Sequence, residues 1–138
     1  MPPLPRKGVL AIAAVVDVAL HSRTRPVSAK ILAARQQLPP RHLEPVLQAL
    51  VRDGLLRGVR GPHGGYALAR PCGEITVDAI VRAAGKAEDA DELQLPQSTL
   101  IRDVVQPALS TAERAFSDAL GNISLAQMVE RATAAVSA

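Results

Sequence analysis

With 138 residues the chain makes one domain, or one small domain with an appendage, and 48% hydrophobic content supports a buried core. That core must be aliphatic, because Tyr66 and Phe116 are the only aromatic side chains. The single cysteine excludes a disulfide framework and any cysteine-built zinc or iron–sulfur site within one chain. The net charge of +3 is unevenly spread: residues 1–70 carry 11 Lys/Arg against 3 Asp/Glu, net +8, and residues 71–138 carry 5 against 10, net −5. A basic half joined to an acidic half is expected where one part faces a polyanion and the other does not.

A proline-rich lead-in, Pro2 to Pro5, is followed by Arg6-Lys7-Gly8 and an almost wholly apolar segment, Val9 to Leu20. Apolar on every side, this segment reads as a helix buried within the fold. Its longest apolar run stops at Asp17, too short to span a bilayer, and it lacks a signal-peptide cleavage pattern, so a cytoplasmic protein with no membrane partner is expected. Arg23 to Pro26 form a polar turn. Ser28 is placed to cap a second helix ending near Gln36, and Gln37 to Pro39 make a short turn. Pro40 suits the first position of a third helix reaching Asp53, whose Leu43, Val46, Leu47, Leu50 and Val51 form one apolar stripe closed by Gly54.

Leu55–Val59 and Gly65–Leu68 read as two short strands joined by a Gly-Pro-His-Gly turn, a hairpin too small to stand without the helices. Thr76 caps a fourth helix from Val77 to about Ala84, and residues 86–96 are a polar, acidic loop. A long helix follows from Gln97 to Leu120, with Ile101, Val105, Ala108, Ala112, Ala115 and Ala119 spaced alternately four and three apart, as in the seam of a close helix–helix contact. Phe116 and Leu120 widen that stripe, and Pro107 is expected to kink the helix or end its first part. Ser124 and Gln127 form a capping box for a last short helix bearing Leu125, Met128, Val129 and Ala132.

Two amphipathic helices followed by an arginine-flanked, glycine-rich hairpin describe a winged helix-turn-helix that grips DNA. The fold class is mainly α with a small β-hairpin wing (α+β). It divides into a DNA-binding domain over 1–85, the loop of 86–96, and a dimerisation helix with a C-terminal helix over 97–138. The glycine run is not a nucleotide loop, since no Lys-Ser/Thr follows it, and three scattered histidines make no active site, so no enzyme is expected.

In detail the chain resembles the IscR/NsrR/CymR superfamily (BadM superfamily) of bacterial winged-helix transcription regulators. The matching residues are Arg6-Lys7-Gly8, Leu43-Glu44, Asp53-Gly54-Leu55, Val59-Arg60-Gly61-Pro62-x-Gly64-Gly65-Tyr66-x-Leu68, Ile75-Thr76-x-x-x-Ile80 and Ile123-Ser124-Leu125. The resemblance implies a homodimer whose long helices cross, a pair of recognition helices in successive major grooves of a pseudo-palindromic operator, and a wing arginine in the minor groove. It also implies that a glutamate at the place of Glu44 helps choose among operator classes.

A recognition helix reads bases from its first turn, which nominates Arg41, His42 and Glu44. Arg41 can donate to guanine or hold a phosphate; Glu44 can accept from a cytosine amino group or repel a wrong site. Arg60 is the leading minor-groove candidate, because a narrow groove of strong negative potential attracts arginine. Gly61, Gly64 and Gly65 allow close backbone approach and positive φ. Arg6, Lys7, Ser28, Arg57 and His63 are candidate phosphate contacts, and Tyr66 is read as packing under the wing. Dimerisation falls to Ile101, Val105, Ala108, Ala112, Phe116 and Leu120.

Several residues depart from the family pattern. Where relatives hold an iron–sulfur cluster with three closely spaced cysteines, this chain reads Ala87-Glu88-Asp89-Ala90-Asp91-Glu92-Leu93, so no cluster and no other cofactor is expected. The four carboxylates there are hard-cation ligands at most. Cys72 reads as a small structural residue or a redox switch. Gln37 replaces a turn glycine common in the family, and Pro45 sits inside the recognition helix. The reading is a sequence-specific repressor; the alternative is a ligand- or partner-binding module on the same scaffold with weakened DNA affinity, and a small-molecule effector could sit between the long helix and the wing.

Overall fold

The computed structural model describes residues 6–22, 25–87 and 98–137. The proline-rich lead-in, part of the turn at 23–26, and the acidic carboxylates of the 86–96 loop lie outside the described residues.

Helix α1 (Arg6–His21) is the element on which the others gather. Its Ala11, Ala14, Val15 and Val18 are fully buried against α2 (Ala29–Arg35), α3 (Pro40–Arg52) and α4 (Val77–Gly85). The expectation of burial on all sides is corrected: Val9 is 51% exposed, because the surrounding elements cover one side of α1 and leave its other flank as an open groove. The core is aliphatic, built from Leu32, Leu43, Leu47, Leu50, Leu55, Leu56, Ile75, Ile80 and Leu125.

The helix-turn-helix rests on local capping. Ser28 Oγ accepts the Ile31 N–H at 3.1 Å and begins α2; Pro40 begins α3. Both helices end in the same two-bond motif. At the end of α3, Gly54 N–H donates to Val51 O and Leu55 N–H to Leu50 O; at the end of α2, Gln37 N–H donates to Ala34 O and Leu38 N–H to Ala33 O. The left-handed position is Gly54 (φ 77°) in one and Gln37 (φ 58°) in the other, so a side chain occupies a site that favours glycine.

An interaction that the sequence reading missed fixes α1 to α2. Asp17, 6% exposed, accepts from Arg35 Nε and Nη2 at 2.9 and 2.8 Å and from Gln36 Nε2 at 3.3 Å, while His21 Nδ1 lies 3.0 Å from the Asp17 carbonyl. Buried within an apolar helix, the carboxylate is held by a two-pronged guanidinium.

Strands β1 (Leu56–Val59) and β2 (Gly65–Leu68) pair antiparallel with Val59 opposite Gly65, and Val27 adds a short third rung to β2 through Tyr66. Thr76 caps α4 as expected, and its neighbours pair with the Ser124 segment, Val77 N–H donating to Ile123 O and Leu125 N–H to Ile75 O. The Ser124–Gln127 capping box forms in both directions and starts α6 (Leu125–Ser137), longer than expected, which returns to α1.

Pro107 stands in the first turn of the regular part of the long helix, and the segment before it departs from α-helical geometry. The proline has no N–H to give the Asp103 carbonyl, and the turn before it widens over Ile101–Val105, with Gln106 N–H reaching back to Ile101 O, after which α5 (Gln106–Gly121) continues. Replacing Gln37 by glycine removes the left-handed strain of about 1–2 kcal/mol and returns part of it as unfolded-chain entropy. Gln37→Gly is expected to raise stability by about 0.5–1 kcal/mol in thermal or denaturant unfolding.

Candidate nucleic-acid interface

Helix α3 buries Leu43, Val46, Leu47 and Leu50 and turns Arg41, His42, Glu44, Gln48 and Arg52 outward. Its first turn carries no acidic residue and no side-chain cap, so the positive end of the helix is open to an anion. The helix stays continuous through Pro45, although that residue cannot bond to the Arg41 carbonyl.

The wing tip carries Arg60, Gly61, Pro62 and His63, all exposed, with Arg57 exposed on β1. Its glycines have separate reasons. Gly61 has φ 111°. Gly64 does not have the positive φ expected of it; instead a Cβ there would stand 2.2 Å from the Val59 carbonyl oxygen. At Gly65 a Cβ would fall 2.4 Å from the Val27 backbone, so only glycine lets β2 close on the segment that leads into α2.

Ion pairing is absent from the arginines of this face: among the described residues, Arg41, Arg52, Arg57 and Arg60 have no ion pair, nor has Arg6 at the start of α1. Within the frame, Lys86 Nζ bonds to Asp53 at 3.1 Å, and Arg82 bonds to Asp78 at 2.7 Å and to Ser117 Oγ at 2.8 Å, tying α4 to α5. Unpaired guanidinium groups on neighbouring elements repel one another and concentrate positive potential, which suits a polyanion. Lys7 is half-buried, and Ser28 spends its hydroxyl oxygen on the α2 cap.

Tyr66, on β2, is half-buried against the core, as its reading under the wing requires. Burial raises its phenol above the ordinary value of 10.0, and the nearby Glu44 carboxylate raises it further, which links the wing electrostatically to α3.

Along the long helix Val105, Ala108 and Ala112 are exposed, and Ile101, Phe116 and Leu120 are half-buried. The stripe also includes residues that the seam reading missed, Leu100, Val104 and Leu109, 64, 57 and 55% exposed. The four-three positions Val105, Ala108, Ala112, Ala115 and Ala119 are exposed, and the widened turn before Pro107 shifts the helical phase beside them.

Two open grooves flank α6. One, of about 560 Å³, runs along Val9, Ile12, Val16 and Leu20 of α1 and Met128 and Ala132 of α6. The other, of about 510 Å³, holds the half-buried Cys72 with Ala19, Leu68, Arg70 and Val129.

A helix-turn-helix with a docked hairpin and an unpaired basic face defines a winged-helix DNA-binding protein. The Rrf2 model, described as "Iron-dependent Transcriptional regulator", matches residues 4–131, and the chain belongs to that family of transcription regulators, not enzymes. It is similar to the HTH-type transcriptional regulator IscR of Serratia proteamaculans, 36% identical over 136 residues that cover 91% of this chain and 78% of the relative. The IscR of Erwinia tasmaniensis is 37% identical over 131 residues with the same coverage. Among solved structures, T. potens IscR superposes with a TM-score of 0.72 at 30% identity, covering 95% of this chain and 88% of the other. The oxidised form of Staphylococcus aureus CymR gives 0.70 at 27% identity, covering 94% and 97%.

The donor set does not fit an iron–sulfur cluster. Cys72 is the one cysteine, it lies in the groove beside Leu68 and Val129, and no group of three His, Cys, Asp or Glu suited to a metal occurs among the described residues.

Because the phenol is raised above 10.0, Tyr66 contributes stability that is present below pH 10 and lost as the pH climbs through its folded value. Absorbance titration of this sole tyrosine is expected to show a midpoint above 10.0, lowered but not normalised by Glu44→Gln, since burial is the larger cause.

Proposed function

We propose that the chain acts in the cytoplasm as a homodimeric repressor that binds a pseudo-palindromic operator and carries no iron–sulfur cluster. The observation that carries the reading is the set of exposed cations without an ion pair among the described residues, Arg41, Arg57 and Arg60, brought together on α3 and the docked wing. In this reading residues 1–85 hold the duplex, with Arg41, His42 and Glu44 toward the major groove. Arg60 with Gly61 and Gly64 reaches the minor groove, and Arg6, Lys7, Ser28, Arg57 and His63 lie at phosphates. Residues 97–138 hold the second copy.

The dimer draws its support from the apolar surface of the long helix, where Leu100, Val104, Val105 and Leu109 are exposed beside Ala108 and Ala112. A contiguous apolar stripe of this kind marks a protein contact. Among the described residues no helix is long and apolar enough to cross a membrane. The apolar groove between α1 and α6 favours a second reading, a module that takes a ligand or partner there, and the two readings separate on DNA affinity.

Arg60→Ala is expected to abolish specific gel shift on the fragments that the wild-type protein captures from its own genome, with unchanged thermal stability because Arg60 is exposed and unpaired. With about 6–10 phosphates neutralised per dimer, wild-type affinity is expected to fall by roughly three to five decades between 50 and 200 mM salt. Salt-independent binding, or a full shift by the variant, contradicts the reading.

A further inference from the structure

The outward face of α3 extends beyond the residues so far assigned. At 100° per residue, Gln48 and Arg52 lie within about 20° of the direction of Arg41, on a line roughly opposite the buried Leu43, Val46, Leu47 and Leu50. Gln48 is exposed, and its amide has no hydrogen-bond partner among the described residues. Between Arg41 and Gln48 the face presents Glu44 to one side and Pro45 to the other, and the proline ring has neither donor nor acceptor. Arg52 is exposed and unpaired even though Asp53 follows it, because Lys86 holds the Asp53 carboxylate at 3.1 Å.

We infer that Gln48 is a specificity-determining residue whose side-chain amide reads an adenine, with Arg52 one turn further on as a phosphate anchor. The inference rests on the operator-binding reading above and adds a base position to it. A helix rises 1.5 Å per residue, so Gln48 stands about 6 Å beyond Glu44 along the axis, roughly two base-pair steps of 3.4 Å. A glutamine amide has the one-donor, one-acceptor edge that matches adenine N7 and N6 in the major groove, whereas the arginines before and after it match guanine or phosphate. The central line of the face thus alternates a cation, a neutral two-way hydrogen-bonding group and a second cation.

The test is selection of bound duplexes from a randomised pool by the full chain, its Gln48→Ala variant and its Arg52→Ala variant. The wild-type protein is expected to enrich a motif with an adenine at one position of each half-site. Gln48→Ala is expected to lose roughly 5- to 150-fold of preference at that position alone, with the other positions and the thermal unfolding midpoint unchanged. Arg52→Ala is expected to weaken all sequences alike and to reduce the slope of log affinity against log salt by about one unit for each such contact. A wild-type motif that Gln48→Ala leaves unaltered overturns the assignment while leaving the operator reading intact. Failure of the wild-type chain to enrich any sequence overturns both.

Discussion

The approach of β2 to Val27 is the contact on which the architecture depends. Two backbone hydrogen bonds, Val27 N–H to Tyr66 O at 2.9 Å and Tyr66 N–H to Val27 O at 2.8 Å, join the hairpin to the residue immediately before the α2 cap. They form because Gly65 has no Cβ to meet the Val27 backbone. Through them the wing is referenced to α2, and α2 in turn to α3 through the short turn of residues 36–39 and to α1 through the Asp17–Arg35 pair. Two potential DNA-reading elements separated in sequence therefore keep one geometry. A hairpin held only by its own four-residue strands would not.

Electrostatics follows the same division. Inside the frame, three carboxylates are paired between or along helices: Asp17 with Arg35, Asp53 with Lys86, Asp78 with Arg82 and Ser117. On the outer side of α3 and the wing the arginines have no ion pair among the described residues, and the carboxylate there, Glu44, lies near the Tyr66 phenol. The unpaired cations raise the free energy of the isolated chain slightly and become favourable when counterions leave a duplex. The exposed apolar stripe of the long helix lies on a different element, in the acidic half of the chain.

The elements legible in the sequence were those with local causes. Ser28, Thr76 and the Ser124–Gln127 pair cap helices as residue type and spacing dictate, Gly54 ends α3 in the left-handed conformation, and the wing strands fall within a residue of their expected bounds. What escaped has causes at a distance. In the sequence Asp17 only punctuates an apolar run, yet its partner Arg35 is 18 residues away. The pairing of Ile75–Val77 with Ile123–Leu125 joins segments far apart in the sequence. Pro107 signals a kink or an end to the helix's first part; the structure answers it with a widened turn over Ile101–Val105, near which Leu100, Val104 and Leu109 are exposed. The candidate DNA residues were legible as a cluster of charge types around a glycine-rich turn. That Gln48 shares their line became evident once the buried side of α3 was known.

Docking of the wing is most directly tested by Gly65→Ala. The single methyl group cannot be placed without moving the Val27 backbone, so the bridge must open while the helical core, which does not use it, persists. The measurement is affinity for the genomic fragments that the wild-type chain captures, taken alongside helical circular dichroism. The account expects near-native helix content with specific binding lost. Wild-type affinity in a folded Gly65→Ala protein would show that the wing need not be anchored to Val27, and the account of this molecule would fail.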